Sequence, residues 1–420
     1  MDKFLGINNV DSADMLADGE EGSELRAAKN VDIDNKHGIS RRSGFTKKYS
    51  GTNCHSLFSN KSVTLFVEDG VLKELNSDYT ATTIQTGMAR FGRVAYQDIN
   101  GAIYFTDGNV TGVYNDGTLL PMGIPIPPQK PVLVSSTGIL PAGRYGVLFT
   151  CADDTGLESG ATNATYVDVD DSGAITVTGI PATYPDASQL NIYVTRPDGA
   201  EFYKYSGVAF GTASVSITSL PQGAICRTRF KHQMPAGHMM AYHQQRLYVA
   251  VDNTVYYSEP YNYGLTDLTK NFIMLPGRVT LMATEPQGMF LSAKGDKTYH
   301  VSGQDPDQFS MVVKADYAAI ENTAARIDQE VLGEGGAGGE SWIWASERGL
   351  CAGIIGGSMR NLTKNKYANM TGSIGSAIYR QKDGISQYIG FIHSDDKEAN
   401  NIYTSDIATA EIRRNGVIIT

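Results

Sequence analysis

Short runs of alternating apolar and polar residues recur along most of the chain. Alternation places each set of apolar side chains on one face of a strand. One unit starts at Ser56 and holds Val63-Thr64-Leu65-Phe66-Val67, the turn Glu68-Asp69-Gly70 and then Val71 to Leu75. The plan returns at Ala102 to Phe105 with Asp107-Gly108-Asn109 and Val110 to Tyr114, at Arg246 to Ala250 with Asp252-Asn253 and Thr254 to Ser258, and at Gly288 to Ser292 with Lys294-Gly295-Asp296 and Thr298 to Val301. A fifth copy is built on Trp342 to Ala345 with Glu347-Arg348-Gly349, and a sixth on Tyr388 to Ile392 leading to Asn401 to Thr404. With the stretch between the second and third copies set aside, the period is about 40 to 45 residues, the length of a propeller blade, with one longer interval before Trp342. A four-stranded unit cannot bury both faces alone, so the pattern predicts an all-β fold, a β-propeller of about six blades. No WD dipeptide or kelch-type double glycine marks the repeats, and unrelated β-domains are the competing reading.

The stretch set aside has its own pattern. Five of the 15 prolines, Pro121, Pro125, Pro127, Pro128 and Pro131, fall together and remove backbone donors, as in an extended linker. Beyond them come Tyr145, Val147, Phe149 and Cys151; Val167 and Val169; Ile175 and Val177; Leu190, Ile192 and Val194; Val215 and Ile217, separated by turns such as Asp154-Thr155-Gly156, Asp171-Ser172-Gly173 and Pro197-Asp198-Gly199. About seven strands in about 100 residues predict an inserted immunoglobulin-like or fibronectin-like β-sandwich. The expected organisation is an N-terminal docking segment with first strands over 1–50, propeller over 51–125, sandwich over 126–231 and propeller again over 232–420. One helix is expected, capped by Glu321-Asn322-Thr323, with Ala324, Ile327 and Val331 on one face and an end at Gly333.

Composition narrows the function. Of 420 residues, 41% are hydrophobic and 19% charged, and 45 acids against 35 bases give a net charge of −10; that excludes a disordered chain and a protein binding nucleic acid by bulk positive charge. The 45 glycines and 23 tyrosines suit short strands and tight turns. No run approaches the roughly 20 apolar residues of a membrane span, and the first ten residues lack the pattern of a secretory signal, so synthesis in the cytoplasm is expected. Cys54, Cys151, Cys226 and Cys351 are widely spaced, without C-x-x-C, and read as reduced core residues.

The candidate chemical motifs are incomplete. Gly333 to Gly339 contains G-x-G-x-x-G, but a strand follows it where a helix N-terminus would hold a pyrophosphate, and Gly339-Glu340 stand where a Walker motif needs Lys and Ser or Thr. A flexible loop, with a gate as a weaker idea, is the reading. Asp168 to Gly173 opens like a calcium loop, yet Gly179 occupies the position of the bidentate Glu, so a hairpin turn is expected. His232, His238 and His243 lack H-E-x-x-H spacing. No catalytic residue, metal or cofactor is expected.

The N-terminus segregates its charge. Asp11, Asp14, Asp18, Glu20, Glu21 and Glu24 have no base among them, and Arg41, Arg42, Lys47 and Lys48 come after. A solvated loop with an ordinary charged hairpin and a protein–protein interface are equally open readings of this pattern.

Gly6-Ile7-Asn8-Asn9, Asn30-Val31-Asp32-Ile33-Asp34 and Gly38-Ile39-Ser40-Arg41-Arg42-Ser43-Gly44 resemble the start of tail nozzle or hub proteins of short-tailed bacteriophages, some called packaged-DNA stabilisation proteins. Gln245 to Ala250 followed by Tyr257-Ser258-Glu259-Pro260 is similar to this group, as is a sandwich opening with Gly143-Arg144-Tyr145 and carrying Gly156-Leu157-Glu158-Ser159. The resemblance implies a non-enzymatic virion protein of the tail. It implies a ring, commonly of six copies, below the portal and its adaptor or head-completion protein; the ring would extend the DNA channel, retain the genome and carry fibres or spikes. DNA would pass without specific binding, and the chain would not insert in a membrane. A net charge of −10 is consistent with a conduit that must not hold phosphates tightly. Candidate interface residues are Arg41, Arg42, Asp32 and Asp34. The alternative is a receptor- or glycan-binding propeller, with Tyr256, Tyr257, Tyr261 and Tyr263 as candidate stacking residues.

Overall fold

The computed structural model describes residues 4–19, 22–28, 31–33, 38–41, 44, 46–332, 339–364, 366–367, 370, 372–382, 385–393, 407–413 and 416–419. Among them the regular structure is strand, with only two short 3₁₀ turns, Pro306–Gln308 and Gln329–Leu332. Six four-stranded antiparallel sheets succeed one another as up-and-down meanders, the blade plan of a β-propeller. The first comprises Cys54–Ser59, Thr64–Glu68, Val71–Leu75 and Ala81–Thr86; the second Ala95–Ile99, Ala102–Thr106, Thr111–Asn115 and Thr118–Leu120. The third holds Met239–His243, Arg246–Val251, Thr254–Tyr257 and Phe272–Met274. Val279–Glu285 to Ser310–Ala315 form the fourth, Ala325–Asp328 to Ser358–Asn361 the fifth, and Ile374–Lys382 to Gly416–Ile419 the sixth.

Five of the repeats read from the sequence are the middle hairpins of blades; in the sixth, Tyr388 to Ile392 lies in the second strand, but the strand paired with it is Ile407–Arg413, and Asn401 to Thr404 lie outside the described residues. The Asp69-Gly70 turn shows why those residue types recur: both have positive φ, 50° and 82°, as a two-residue hairpin requires.

By internal contacts the chain divides into two units, 52–249 with 256–273, and 1–51 with 250–255 and 274–420. In the first, Leu65, Val67 and Leu72 of the first blade share a core with Ile103, Phe105 and Tyr114 of the second. In the second, Leu281, Ala283 and Phe290 of the fourth blade meet Trp344 and Cys351 of the fifth. Ile327, Ile343 and Leu350 of the fifth meet Tyr388 of the sixth. Face-to-face packing of consecutive sheets is how a blade covers its apolar faces, and burial of each large side chain is worth about 1.5–3 kcal/mol.

The expected helix is not formed. Ala325–Asp328 is a strand paired with Glu340–Ser346, its Ala325 and Ile327 turned inward and its Arg326 and Asp328 outward. The spacing of Ala324, Ile327 and Val331 suited a helix, but sheet pairing prevailed, and only Gln329–Leu332 makes a helical turn. The expected end at Gly333, and the glycine loop 333–338, lie outside the described residues.

Between the second and third blades two sheets share one core. Val132–Leu140, Gly173–Thr178 and Val215–Ile217 form one; Thr165–Val169, Gly143–Ala152, Gln189–Thr195 and Phe202–Ala209 form the other, in that order. Tyr145, Phe149, Leu190 and Ile192 pack against Leu140, Ile175, Val177 and Ile217. The fully buried Tyr145 donates its hydroxyl to the Pro141 carbonyl at 2.9 Å. The turn at Asp171-Ser172-Gly173 is not a hairpin, because it carries the chain from one sheet to the other. Nor is the proline-rich segment a free linker: Met122 and Ile124 are buried, and Ile124 belongs to the two-sheet core.

Candidate interface in the N-terminal segment

Phe4–Ile7 pairs in parallel with Gly22–Leu25, which pairs antiparallel with Asp18–Gly19. Ile7 enters the core shared by the fifth and sixth blades. The first strand is therefore part of the body rather than a free docking arm.

Asn8, 2% exposed, organises the loop on its C-terminal side. Its amide nitrogen donates to Asp11 Oδ2 at 2.9 Å and Glu24 Oε2 at 2.8 Å, and its side-chain oxygen accepts from the Val10 and Asp11 N–H groups at 3.2 and 3.1 Å. Its own N–H donates to the Leu25 carbonyl at 2.8 Å. Glu24 also accepts from Ala17 N–H at 3.3 Å and lies 3.2 Å from Lys366 Nζ, while the Lys366 carbonyl accepts from Asn9 N–H at 2.9 Å. Burial works against ionisation of Glu24, but the bonds from Asn8, Ala17 and Lys366 prevail and hold its carboxyl below the usual range. These bonds fix the loop between Asn8 and Asp18, in which Asp14 and Met15 are exposed.

Of the expected interface residues, Arg41 lies exposed on Ile39–Arg41, paired with Val31–Ile33 in Val31↔Arg41 register. Asp32 sits opposite Ser40 in that ladder. Asp34 and Arg42 lie outside the described residues, as does the Asp32 side chain. The sequence pattern did not single out Asn8 or Lys366. The signal for Asn8 was its place in Gly6-Ile7-Asn8-Asn9; Lys366 is too distant in sequence to have given one.

Elsewhere polar clusters are spent inside the fold. Glu158 Oε1 accepts from Thr150, from Asn191 Nδ2 at 2.8 Å and from Tyr193 Oη at 2.9 Å. The buried His300 Nε2 lies 2.9 Å from Glu285 Oε1. Burial opposes the Glu285 charge, but the His300 bond and the N–H groups of Gln287 and Gly356 carry its pKa below the usual value. Arg278 donates through Nε and Nη2 to both oxygens of Glu321 at 3.1 Å.

Among the described residues no group of three or more His, Cys, Asp or Glu is placed to hold a metal ion. His243 packs against the Tyr248 ring, 6.4 Å between centroids. All four cysteines are free thiols, but Cys54 is exposed rather than in the core; burial pushes the Cys151 thiol up to about 12.

The candidate stacking tyrosines are mostly occupied. Tyr257 is buried against Tyr248, Tyr256 packs on Phe272, and Tyr263 meets Tyr104 and Tyr242 edge-on. Tyr261 stands exposed, at 75%.

No family model matches the chain, and no curated protein matches it. Similar solved structures include BBS1N in complex with ARL6DN, at 11% identity over 86% of this chain and 92% of that one, TM-score 0.33. The Neurospora crassa Pan2 WD40 domain matches at 8% identity over 88% of each chain, TM-score 0.30. Kluyveromyces lactis Hsv2 matches at 8% identity over 80% of this chain and 92% of that one, TM-score 0.25. These likenesses are slight, and the blade description rests on this chain's own strand pairing.

Proposed function

We propose that this β-propeller is a structural virion protein, the nozzle or hub ring of a short-tailed bacteriophage tail. In this reading it mates with the portal-adaptor or head-completion protein, extends the DNA channel, retains packaged genome and anchors fibres or spikes. The observation that carries the reading is Asn8, which belongs to the stretch carrying the family resemblance. Every polar atom of its side chain is used to hold one exposed acidic loop in a fixed shape. A buried amide committed to presenting a surface loop suits a docking protein, and DNA passage without specific binding suits a net charge of −10.

The test is immunogold electron microscopy of intact particles with antibodies against the recombinant chain. Label on the short tail below the portal vertex is expected. Label confined to fibre tips would favour receptor binding, and unlabelled particles would remove the reading. A glycan array separates the binding-propeller alternative: a nozzle shows no selective glycan signal.

A further inference from the structure

The four-stranded sheet of residues 143–209 carries a stripe of alternating cations and rings on the face turned away from its core. Tyr145 and Val167 point into that core, so their neighbours Arg144 and Tyr166 point outward. The Arg144 guanidinium lies 5.0 Å from the Tyr166 ring centroid. Gly146 adjoins it, and a Cβ there would stand 2.7 Å from Tyr166 and 3.0 Å from Phe202. Gly146 is therefore the floor between two rings. Arg229 continues the stripe, 4.7 Å from the Phe202 centroid and 4.6 Å from that of Phe230, and its Nη1 is steadied by the Ala200 carbonyl at 3.0 Å. Phe230 is 66% exposed and Tyr166 45%, whereas Phe202 lies buried between them with Leu148, Tyr193 and Cys226.

Among the described residues neither Arg144 nor Arg229 has an ion-pair partner. The nearby acids serve the backbone and a ring: Asp198 accepts from Arg144 N–H at 3.0 Å, and Glu201 accepts from Tyr203 Oη at 2.6 Å. Asp168 faces Arg144 across the ladder. The stripe thus offers two cations on an aromatic floor, in a chain that is acidic overall.

The loop fixed by Asn8 has the complementary chemistry. Residues 10–19 contain Asp11, Asp14 and Asp18 and no base. Its exposed apolar residues are Val10, at 47%, and Met15, at 69%. A methionine thioether packs well on aromatic edges, and carboxylates seek guanidinium groups already stacked on rings. We infer that the Arg144–Tyr166 and Arg229–Phe230 pairs bind the 10–18 loop of a second copy of this chain, Asp14 and Asp18 meeting the arginines and Met15 the exposed rings of Tyr166 and Phe230. The two surfaces differ, so the contact is heterologous and repeats head to tail into a closed ring or a filament. This inference rests on the ring of the nozzle reading and names the contact that would close it; sedimentation of the variants tests the contact, and immunogold label tests the place in the tail, so the two can fail separately.

Sedimentation velocity of the full chain tests it with two charge-reversed variants, Arg144→Glu/Arg229→Glu and Asp14→Lys/Asp18→Lys. Wild type should associate, and each variant alone should associate about 10- to 100-fold more weakly, with unchanged far-UV circular dichroism. Mixed one to one, the variants should assemble again, because an intact stripe meets an intact loop at one junction and swapped charges meet at the next. Loop docking within one chain would not be restored by mixing and would overturn the inference. So would a monomeric wild type, variants that assemble like wild type, or a stripe that retains an anionic oligonucleotide without self-association.

Discussion

Gly123 and Gly264 lie backbone against backbone. A Cβ on Gly123 would stand 2.5 Å from the Gly264 carbonyl oxygen, and one on Gly264 would stand 2.0 Å from that of Met122. The Gly123 carbonyl in turn accepts from Gln233 Nε2 at 2.7 Å. The proline-rich segment is thus clamped between its neighbours. Gly123→Ala should destabilise the protein by about 1–3 kcal/mol through overpacking. Both tryptophans, Trp342 and Trp344, lie in the other contact unit. Urea unfolding should therefore show the loss by circular dichroism with little shift in tryptophan fluorescence.

The blade hairpins were legible because alternation and Asp-Gly or Asn-Gly turns are local signals. Ala102 to Tyr114 announced itself in this way through Asp107-Gly108, and Gly288 to Val301 by alternation with the Gly295-Asp296 turn. The packed state of Met122 and Ile124 was not legible, since prolines speak only of a missing donor and say nothing of what lies beside them. Ile7 was missed for a similar reason, because its partners Ile343 and Leu350 are over 300 residues away. Ala325 and Ile327 were ambiguous: the spacing of Ala324, Ile327 and Val331 fits a helix, while 325 and 327 alone fit a strand, and only pairing with Glu340–Ser346 decides. In the N-terminal segment, charge segregation drew attention to the acidic loop but gave no sign of the Asn8 amide that shapes it.

Asn8→Ala takes the side-chain acceptor from two N–H groups and a donor from two carboxylates at a buried site. It should cost about 1–3 kcal/mol and raise hydrogen exchange over residues 4–25 well above that of the blades. Acid should act in the same place. Glu24 has a folded-state pKa below its ordinary 4.5, so its contribution is complete above that value and is lost as pH falls through the lower, folded value. Exchange corrected for intrinsic rate should rise in 4–25 below about pH 4.5 in wild type, and this pH dependence should weaken in Glu24→Gln.

The buried His300 and Glu285 offer a second site of the same sign. Removing the imidazole takes one hydrogen bond from the buried Glu285 carboxylate and leaves a cavity, so His300→Ala should cost about 2–4 kcal/mol. Glu285 is held below its ordinary 4.5, so the pair stabilises above that pH and weakens as pH falls through the folded-state value. Gly357 supplies an independent check: its φ is 77°, and a Cβ would stand 2.4 Å from His300 Nδ1. Gly357→Ala should therefore destabilise the same region. Trp342 donates Nε1 to the Thr284 carbonyl at 2.7 Å, next to Glu285, so both variants should lower the urea midpoint read by tryptophan fluorescence.

Glu158 holds the Gly156-Leu157-Glu158-Ser159 turn onto the four-stranded sheet. Thr150, Asn191 and Tyr193 are all buried and all donate to one carboxylate oxygen. The turn is closed by Ser159 as well, whose N–H donates to the Cys151 carbonyl and whose hydroxyl oxygen accepts from Cys151 N–H, both at 2.8 Å. Burial raises the Tyr193 pKa and the adjacent Glu158 raises it further, so the phenol stays a donor throughout the neutral range. Glu158→Ala leaves three buried donors without their acceptor and should cost about 2–4 kcal/mol, whereas Glu158→Gln keeps a carbonyl oxygen for them and should cost less. The loss should appear in the circular dichroism transition and leave the tryptophan transition in place. Equal losses for Ala and Gln would mean that charge, rather than hydrogen-bond acceptance, is what Glu158 supplies.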